Sequence, residues 1–445
     1  MKICTAVLYL LFAAISFAQP PGTLWTKTVG RSDMDFGFSV QQTSDGGYII
    51  EGLTEGLNLI YPDIYLAKTN SFGDTLWTLI YGGDLYDCGY SGQETADGGY
   101  VFIGAQRDTF TVNLIYLIKT DKHGDHIWLK TYEGVGYSVE QTFDGGYVVT
   151  GYTWYGSYGT DVWLLKTDSL GDTLWTKTYG GSDPDEGCAI EQTHDGGYII
   201  AGHTSSFGAG QYDVYLIKTD SIGETLWTKT YGGDQSDYAY SVQQTTDGGY
   251  IICGYTHSFG PWTDFYLIKT DSLGDTLWTR TYGGSNEDRA YCARQTSDGG
   301  YIVVGQTYSS SITGYDIRVV KTDSVGDTVW TQTYGGPSWD CGRSGQQTSD
   351  GGYIFAGTMG TSGPVSFDVY LIKTEPDVGV SENETVVKGN DCRTTIIRGP
   401  LLLPEDRKCK VMDITGRVVD PNNITCGIYF VEIDSEIVHK VIKVR

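Results

Sequence analysis

The chain has 445 residues, 40% of them hydrophobic and 13% aromatic. That is enough to bury the core of one large domain and a small one, and it excludes global disorder. The formal net charge of −25 sets the surface against nucleic acid phosphates and anionic lipid, and suits solubility, cations or neutral ligands such as glycans.

The N-terminus reads as a signal peptide over 1–18. Lys2 supplies the short positive start, Thr5 to Phe17 is mostly apolar, and Ser16-Phe17-Ala18 is a small-x-small cleavage pattern before Gln19. That stretch is short for a membrane span and no other segment approaches one, so the mature chain is expected to hold no stable span. Eight cysteines follow: Cys88, Cys188, Cys253, Cys292, Cys341, Cys392, Cys409 and Cys426. Export permits disulfides. These cysteines do not recur in phase with the repeat below, and no C-x-x-C occurs, so they form neither a repeat staple nor a metal knuckle.

Internal repetition dominates 19–374. Asp-Gly-Gly-Tyr starts at Asp45, Asp97, Asp144, Asp195, Asp247, Asp298 and Asp350. A Trp recurs in step (Trp25, Trp77, Trp128, Trp175, Trp227, Trp278, Trp330), as does a Lys-Thr pair led by Lys68, Lys119, Lys166, Lys218, Lys269, Lys321 and Lys373. One unit predicts four strands: Cys188 to Thr193, Tyr198 to Gly202, Asp213 to Thr219 and Thr225 to Tyr231. Tight turns at His194–Gly197 and Asp220–Glu224 join the first and last pairs, and a longer loop, His203–Tyr212, joins the middle pair. No segment carries a capped helical period.

Four strands in about 50 residues is the pattern of a propeller blade. A lone sheet of this composition covers neither of its apolar faces, whereas sheets stacked in a ring cover both. Trp and Tyr are the side chains expected to fill the wedges between blades. The repeats open on a fourth strand, Thr23 to Val29, and close on a third, Phe367 to Thr374, so the first strand is expected to complete the last blade.

Over Thr23 to Thr374 the sequence resembles the β-propeller repeats of secreted bacterial proteins. The residues that carry the likeness are Trp175, Tyr179-Gly180-Gly181, Gly197-Tyr198 and Asp213-Val214-Tyr215-Leu216-Ile217-Lys218. The resemblance implies a seven-bladed propeller and no particular activity.

Residues 375–385 read as a polar linker, and 386–445 as a small C-terminal β-sandwich with its own phrases, Asp413-Ile414-Thr415-Gly416-Arg417 and Gly427-Ile428-Tyr429-Phe430-Val431. These resemble the C-terminal sorting domain of type IX secretion. The likeness implies export across the outer membrane of a Gram-negative bacterium by the type IX secretion machinery, to the medium or the cell surface. Cys392, Cys409 and Cys426 depart from that pattern.

Catalytic signatures are absent: no H-E-x-x-H, G-x-S-x-G or phosphate-loop pattern occurs. In a four-stranded blade the second-to-third loops and the inter-blade links share one face, and here these are the long, variable connections. Variable loops on a rigid scaffold are the expected working face. Their rings include Tyr152, Trp154, Tyr155, Tyr158, Phe259, Trp262, Tyr308 and Tyr315. They suit stacking on a sugar or peptide, or else fold back over loop backbone.

Asp35, Asp87, Asp185, Asp237, Asp288 and Asp340 follow the links, and Asp63, Asp161, Asp213, Asp264, Asp316 and Asp368 open the third strands. Their recurrence favours a blade-building role through backbone N–H bonds. Ca²⁺ is the one cofactor they would suit. Gln-rich first strands are expected to line the centre, where Glu140, Glu191 and Arg294 break the pattern in charge. The function expected is non-catalytic binding of an extracellular glycan or protein. The alternatives are a glycan-active hydrolase or lyase using the channel carboxylates, and a structural adhesin or surface-layer element.

Overall fold

The structure is a computed structural model. It describes residues 19–30, 34–55, 61–82, 85–107, 113–155, 159–309, 314–360 and 367–377, and, nearer the C-terminus, 393–397, 409–413, 417–420, 427–433 and 436–443. Two compact units divide at Asp377/Val378.

The first unit is a seven-bladed β-propeller of four-stranded antiparallel blades. Blade 4 shows the pattern, with strands Asp185–Gln192, Tyr198–Thr204, Asp213–Thr219 and Thr225–Tyr231 from the axis outwards. The first strand starts three residues before the sequence suggests. A bulge between Gly187 and Ala189 interrupts the polar–apolar alternation there.

Blades 1, 2, 3, 5 and 6 begin at Asp35, Tyr86, Val135, Asp237 and Asp288. Blade 7 takes its first three strands from Asp340–Gln347, Tyr353–Gly360 and Phe367–Thr374, and its outer strand from Thr23–Val29. The N-terminal strand therefore closes the ring as expected.

The recurring residues explain the closure. Each Trp of an outer strand meets the first Tyr of the next blade's second strand edge-on, as in Trp175–Tyr198 at 6.0 Å and Trp227–Tyr250 at 5.9 Å. Trp25 makes the same contact with Tyr48 at 5.9 Å, so the seam between blades 7 and 1 is built like the others. A core cluster of Val40, Tyr48, Ile50, Ile354, Ala356 and Leu371 runs across that seam.

Each Asp-Gly-Gly turn is a clasp. In blade 4, Asp195 Oδ1 accepts from Thr193 Oγ1 (2.5 Å) and from Gly197 N (2.9 Å), while Lys218 Nζ lies 3.0 Å from Asp195 Oδ2 and donates to Thr219 O. Gly196 adopts a φ of 82°, and a Cβ on Gly197 would strike Thr219 O, so both glycines are required. The Lys side chain is almost fully buried and its ammonium reaches the turn Asp.

In the second unit, Val378–Arg445, the described strands form one sheet in the order Arg393–Ile397, Glu436–Lys443, Gly427–Ile433, Cys409–Asp413, Val418–Val419. The first pair is parallel and the rest antiparallel. A second sandwich layer is not among the described residues.

Candidate functional site

Antiparallel pairing sends the tight turns to one face and the variable loops to the other. Each first strand starts at the loop face and ends at the turn face, so its positions read as depths along the central channel.

At the last position of each first strand a ring of amide and carboxylate side chains ties neighbouring blades together. Gln42 accepts from Ser349 N, Glu94 from Ser44 N, Gln141 from Ala96 N, Gln192 from Phe143 N, Gln244 from His194 N, Gln295 from Thr246 N and Gln347 from Ser297 N. The expected Gln lining is present, and this part of it is spent on seams.

One pleat deeper, Glu140, Glu191 and Arg294 share a polar cavity of about 300 Å³ with Gln41, Gln93 and Gln243. The two carboxylates hold bonds that Gln holds elsewhere. Gln192 N donates to Glu140 Oε2 at 2.5 Å and Gln244 N to Glu191 Oε2 at 2.7 Å, just as Gln295 N donates to Gln243 Oε1 at 2.7 Å. Burial pushes Glu140 up to about 8, against the pull of the Gln192 amide; the nearby Glu191 adds to the rise and Arg294 opposes it. Arg294 donates to Ser241 Oγ and Ala293 O.

Toward the loop face, the residue at each first-strand bulge forms a girdle around the axis. In blade order these are Phe38, Tyr90, Tyr137, Cys188, Tyr240, Tyr291 and Arg343. Neighbouring rings touch: Phe38–Tyr90 at 6.1 Å, Tyr90–Tyr137 at 5.1 Å and Tyr240–Tyr291 at 5.5 Å. The Arg343 guanidinium lies 4.0 Å from the Tyr291 centroid and 5.7 Å from that of Phe38. Reading each strand alone misses this girdle. Aligning the residue four places before the end of each first strand would have exposed it.

On the loop face, blades 5 and 6 enclose a cleft of about 800 Å³. Trp262, Tyr308 and Tyr315 line it with His257, Gln235, Asn286 and Glu287. Trp262 is 52% exposed and Tyr308 38%. Tyr308 stands edge-on to Tyr315 at 5.3 Å, and Tyr315 Oη donates to Glu287 Oε2 at 2.6 Å. Arg289 also bonds Glu287 and lies over the Tyr255 ring at 5.1 Å. Burial raises the Glu287 carboxyl, but the Tyr315 hydroxyl and the Arg289 charge outweigh it and hold the group below its ordinary range.

The structure thus joins three of the eight rings singled out in the sequence. Phe259 leans on Tyr266 at 5.3 Å, beside the cleft without lining it. Tyr152 and Trp154 form an edge-on pair at 5.4 Å on blade 3, and Tyr152 also packs on Tyr137 of the girdle. Tyr155 ends the second strand of blade 3; its side chain, like all of Tyr158, lies outside the described residues.

Recurring Asp residues accept backbone bonds at the links and in the second-to-third-strand loop. Asp185 Oδ2 takes Gly181 N, Asp237 Oδ2 takes Gly233 N, and Asp213 Oδ2 takes Ala209 N and Gly210 N. Among the described residues no three His, Cys, Asp or Glu side chains are grouped to hold a metal ion.

No family model matches the sequence. The chain is 27% identical over 192 residues to a regulatory protein, FlaEY, of Caulobacter vibrioides, covering 39% of this chain and 18% of that protein. It thus spans about a fifth of the relative's length. Among solved structures it resembles the β-propeller domain of the Trilobed protease of Pyrococcus furiosus (TM-score 0.46, 9% identity, covering 77% of this chain and 95% of that one). It also resembles Sqt1 of Chaetomium thermophilum (TM-score 0.44, 11% identity, covering 78% and 87%).

Proposed function

We propose that this propeller is an extracellular binding protein that holds a glycan in the loop-face cleft of blades 5 and 6. The observation that carries the reading is the exposed Trp262–Tyr308–Tyr315 surface beside Gln235, Asn286 and Glu287. Ring faces stack on the apolar faces of sugars, and the amide and carboxylate groups bond hydroxyls. The N-terminal signal pattern and the Asp413–Arg417 and Gly427–Val431 phrases support export by the type IX secretion machinery to the cell surface or medium.

A glycan array probed with the full mature chain tests this. Binding of a defined glycan class, weakened roughly tenfold or more by Trp262→Ala and by Tyr308→Ala, is the expected result. No glycan retained, or binding unchanged in both variants, would favour a structural surface element instead.

The hydrolase reading has one observation in its favour, a Glu140 carboxyl held protonated near neutral pH beside Glu191. The seam bonds of both carboxylates argue against it. Polysaccharide turnover abolished by Glu140→Gln or Glu191→Gln would restore it.

A further inference from the structure

Three residues of blade 4 leave the repeat pattern and meet at one point on the girdle. Cys188 Sγ lies 3.7 Å from His203 Nδ1. His203 Nε2 lies 3.8 Å from Glu186 Oε2. No other blade carries a His at the position of His203 or a Glu at that of Glu186.

The fold explains the meeting. Glu186 and His203 are direct partners across the first ladder of the blade, and Cys188 is the residue that the bulge leaves out of that ladder. The bulge swings the thiol to the imidazole nitrogen that the carboxylate does not face. Tyr212 and Tyr238 stand edge-on to the imidazole at 5.5 and 5.0 Å and fix its plane. Cys188 is partly exposed, whereas Cys88, Cys253, Cys292 and Cys341 are all buried at 5% exposure or less.

A thiol, a base within reach and a carboxylate behind the base are the parts of a nucleophilic centre. We propose that Cys188 is a nucleophile served by His203, with Glu186 as positioning residue, and that it accepts an acyl group from an activated ester or thioester entering through the loop-face mouth. The thiol proton passes to His203 Nδ1 as Sγ bonds the carbonyl carbon. The bond to the leaving alcohol or thiol breaks, and that group takes the proton from His203. Water then attacks the thioester, again with His203 as base, and the free acid and the thiol are restored.

Burial holds the imidazole uncharged, its pKa down to about 4, and pushes the thiol up. The resting pair is therefore thiol and imidazole, and the proton moves only as the new bond forms. This sets the pH signature. Base-assisted acylation stays level wherever the imidazole is free, while an unassisted thiol speeds up about tenfold per pH unit below its own pKa.

The test treats the full mature chain with p-nitrophenyl acetate, maps the acetyl group by mass, and follows acylation against pH. Acetyl on Cys188, with a level rate between about pH 6 and 8, is expected. His203→Gln should lower that rate by roughly a hundredfold and restore the rising profile. Glu186→Gln should lower the level region yet leave the alkaline limb unchanged, which a merely structural role would not do. An unmodified Cys188 in the folded protein overturns the proposal, as does a profile that neither substitution alters.

Discussion

Trp25 and Lys373 stand opposite each other on the ladder that closes the ring, the pairing that Trp227 and Lys218 make inside blade 4. The closing seam therefore carries the same ladder and the same Trp–Tyr wedge as every other. Trp25→Ala should cost about 2–4 kcal/mol, less than a fully buried Trp because its ring is partly exposed. Deletion of Thr23–Val29 should leave the edge of Phe367–Thr374 open and promote aggregation. Denaturant unfolding and light scattering read both, and a truncated chain as stable and monodisperse as the full one would count against the clasp.

Acid should unfold the propeller through its seven Asp-Gly-Gly clasps. Burial alone would raise the Asp195 carboxyl, but the Thr193 hydroxyl, the Gly197 amide and Lys218 together hold it below its ordinary 3.8, and the other six behave alike. A lowered folded pKa means stability that is complete above the unfolded value and is lost as pH falls through the folded one. Melting temperature should fall steeply below about pH 4. Lys218→Met should lower stability at pH 7 and reduce the steepness of that acid limb.

Glu140 titrates in the opposite sense. Its folded pKa of about 8 lies above the ordinary 4.5, so its carboxyl stabilises the fold below pH 4.5 and progressively costs stability as pH rises toward 8. Gln is the residue at this position in blades 1, 2, 5 and 7 and can accept the same bond from Gln192 N. Glu140→Gln should raise the melting temperature at pH 8 and change it little at pH 4.5. Equal effects at both pH values would contradict the assignment.

Glu51 offers a sharper case. It sits at an otherwise apolar or small position of the second strand, 1% exposed, and burial drives its carboxyl well above 4.5. The Tyr90 backbone amide opposes that rise without cancelling it. A Cβ on Gly89 or Gly92 of blade 2 would run into it, so those glycines make its room. Glu51→Val should stabilise the protein at pH 7 by roughly 1–3 kcal/mol, and by less at pH 4. A loss of stability at pH 7 would show that the carboxyl is held by a bond worth keeping.

Fold legibility came from repetition. Seven copies of one spacing expose strands, turns and closure together, and the half-blades at Thr23 and Thr374 reveal the missing outer strand. The bulge at positions such as Cys188 stayed hidden, because a break in the polar–apolar alternation looks like the end of a strand, and with it went the girdle. The rings of the loop face divided: Trp262, Tyr308 and Tyr315 converge because adjacent blades bring their loops together, while Phe259 covers its own blade through Tyr266. Glu140 and Glu191 read as irregular charges in the sequence, and in three dimensions they take over a seam bond made by Gln elsewhere. His203 carries no signal within its own strand, because its partners, Glu186 and Cys188, come from the neighbouring one.

Radical footprinting of the mature chain, with and without a saturating glycan from the array, tests most directly whether the loop face is the working face. Oxidation of Trp262 and Tyr308 should fall on binding, while that of Phe72 and Phe143 on the opposite, tight-turn face should not change. Protection of Phe72 and Phe143 with Trp262 left reactive would place the ligand on the wrong side of the ring.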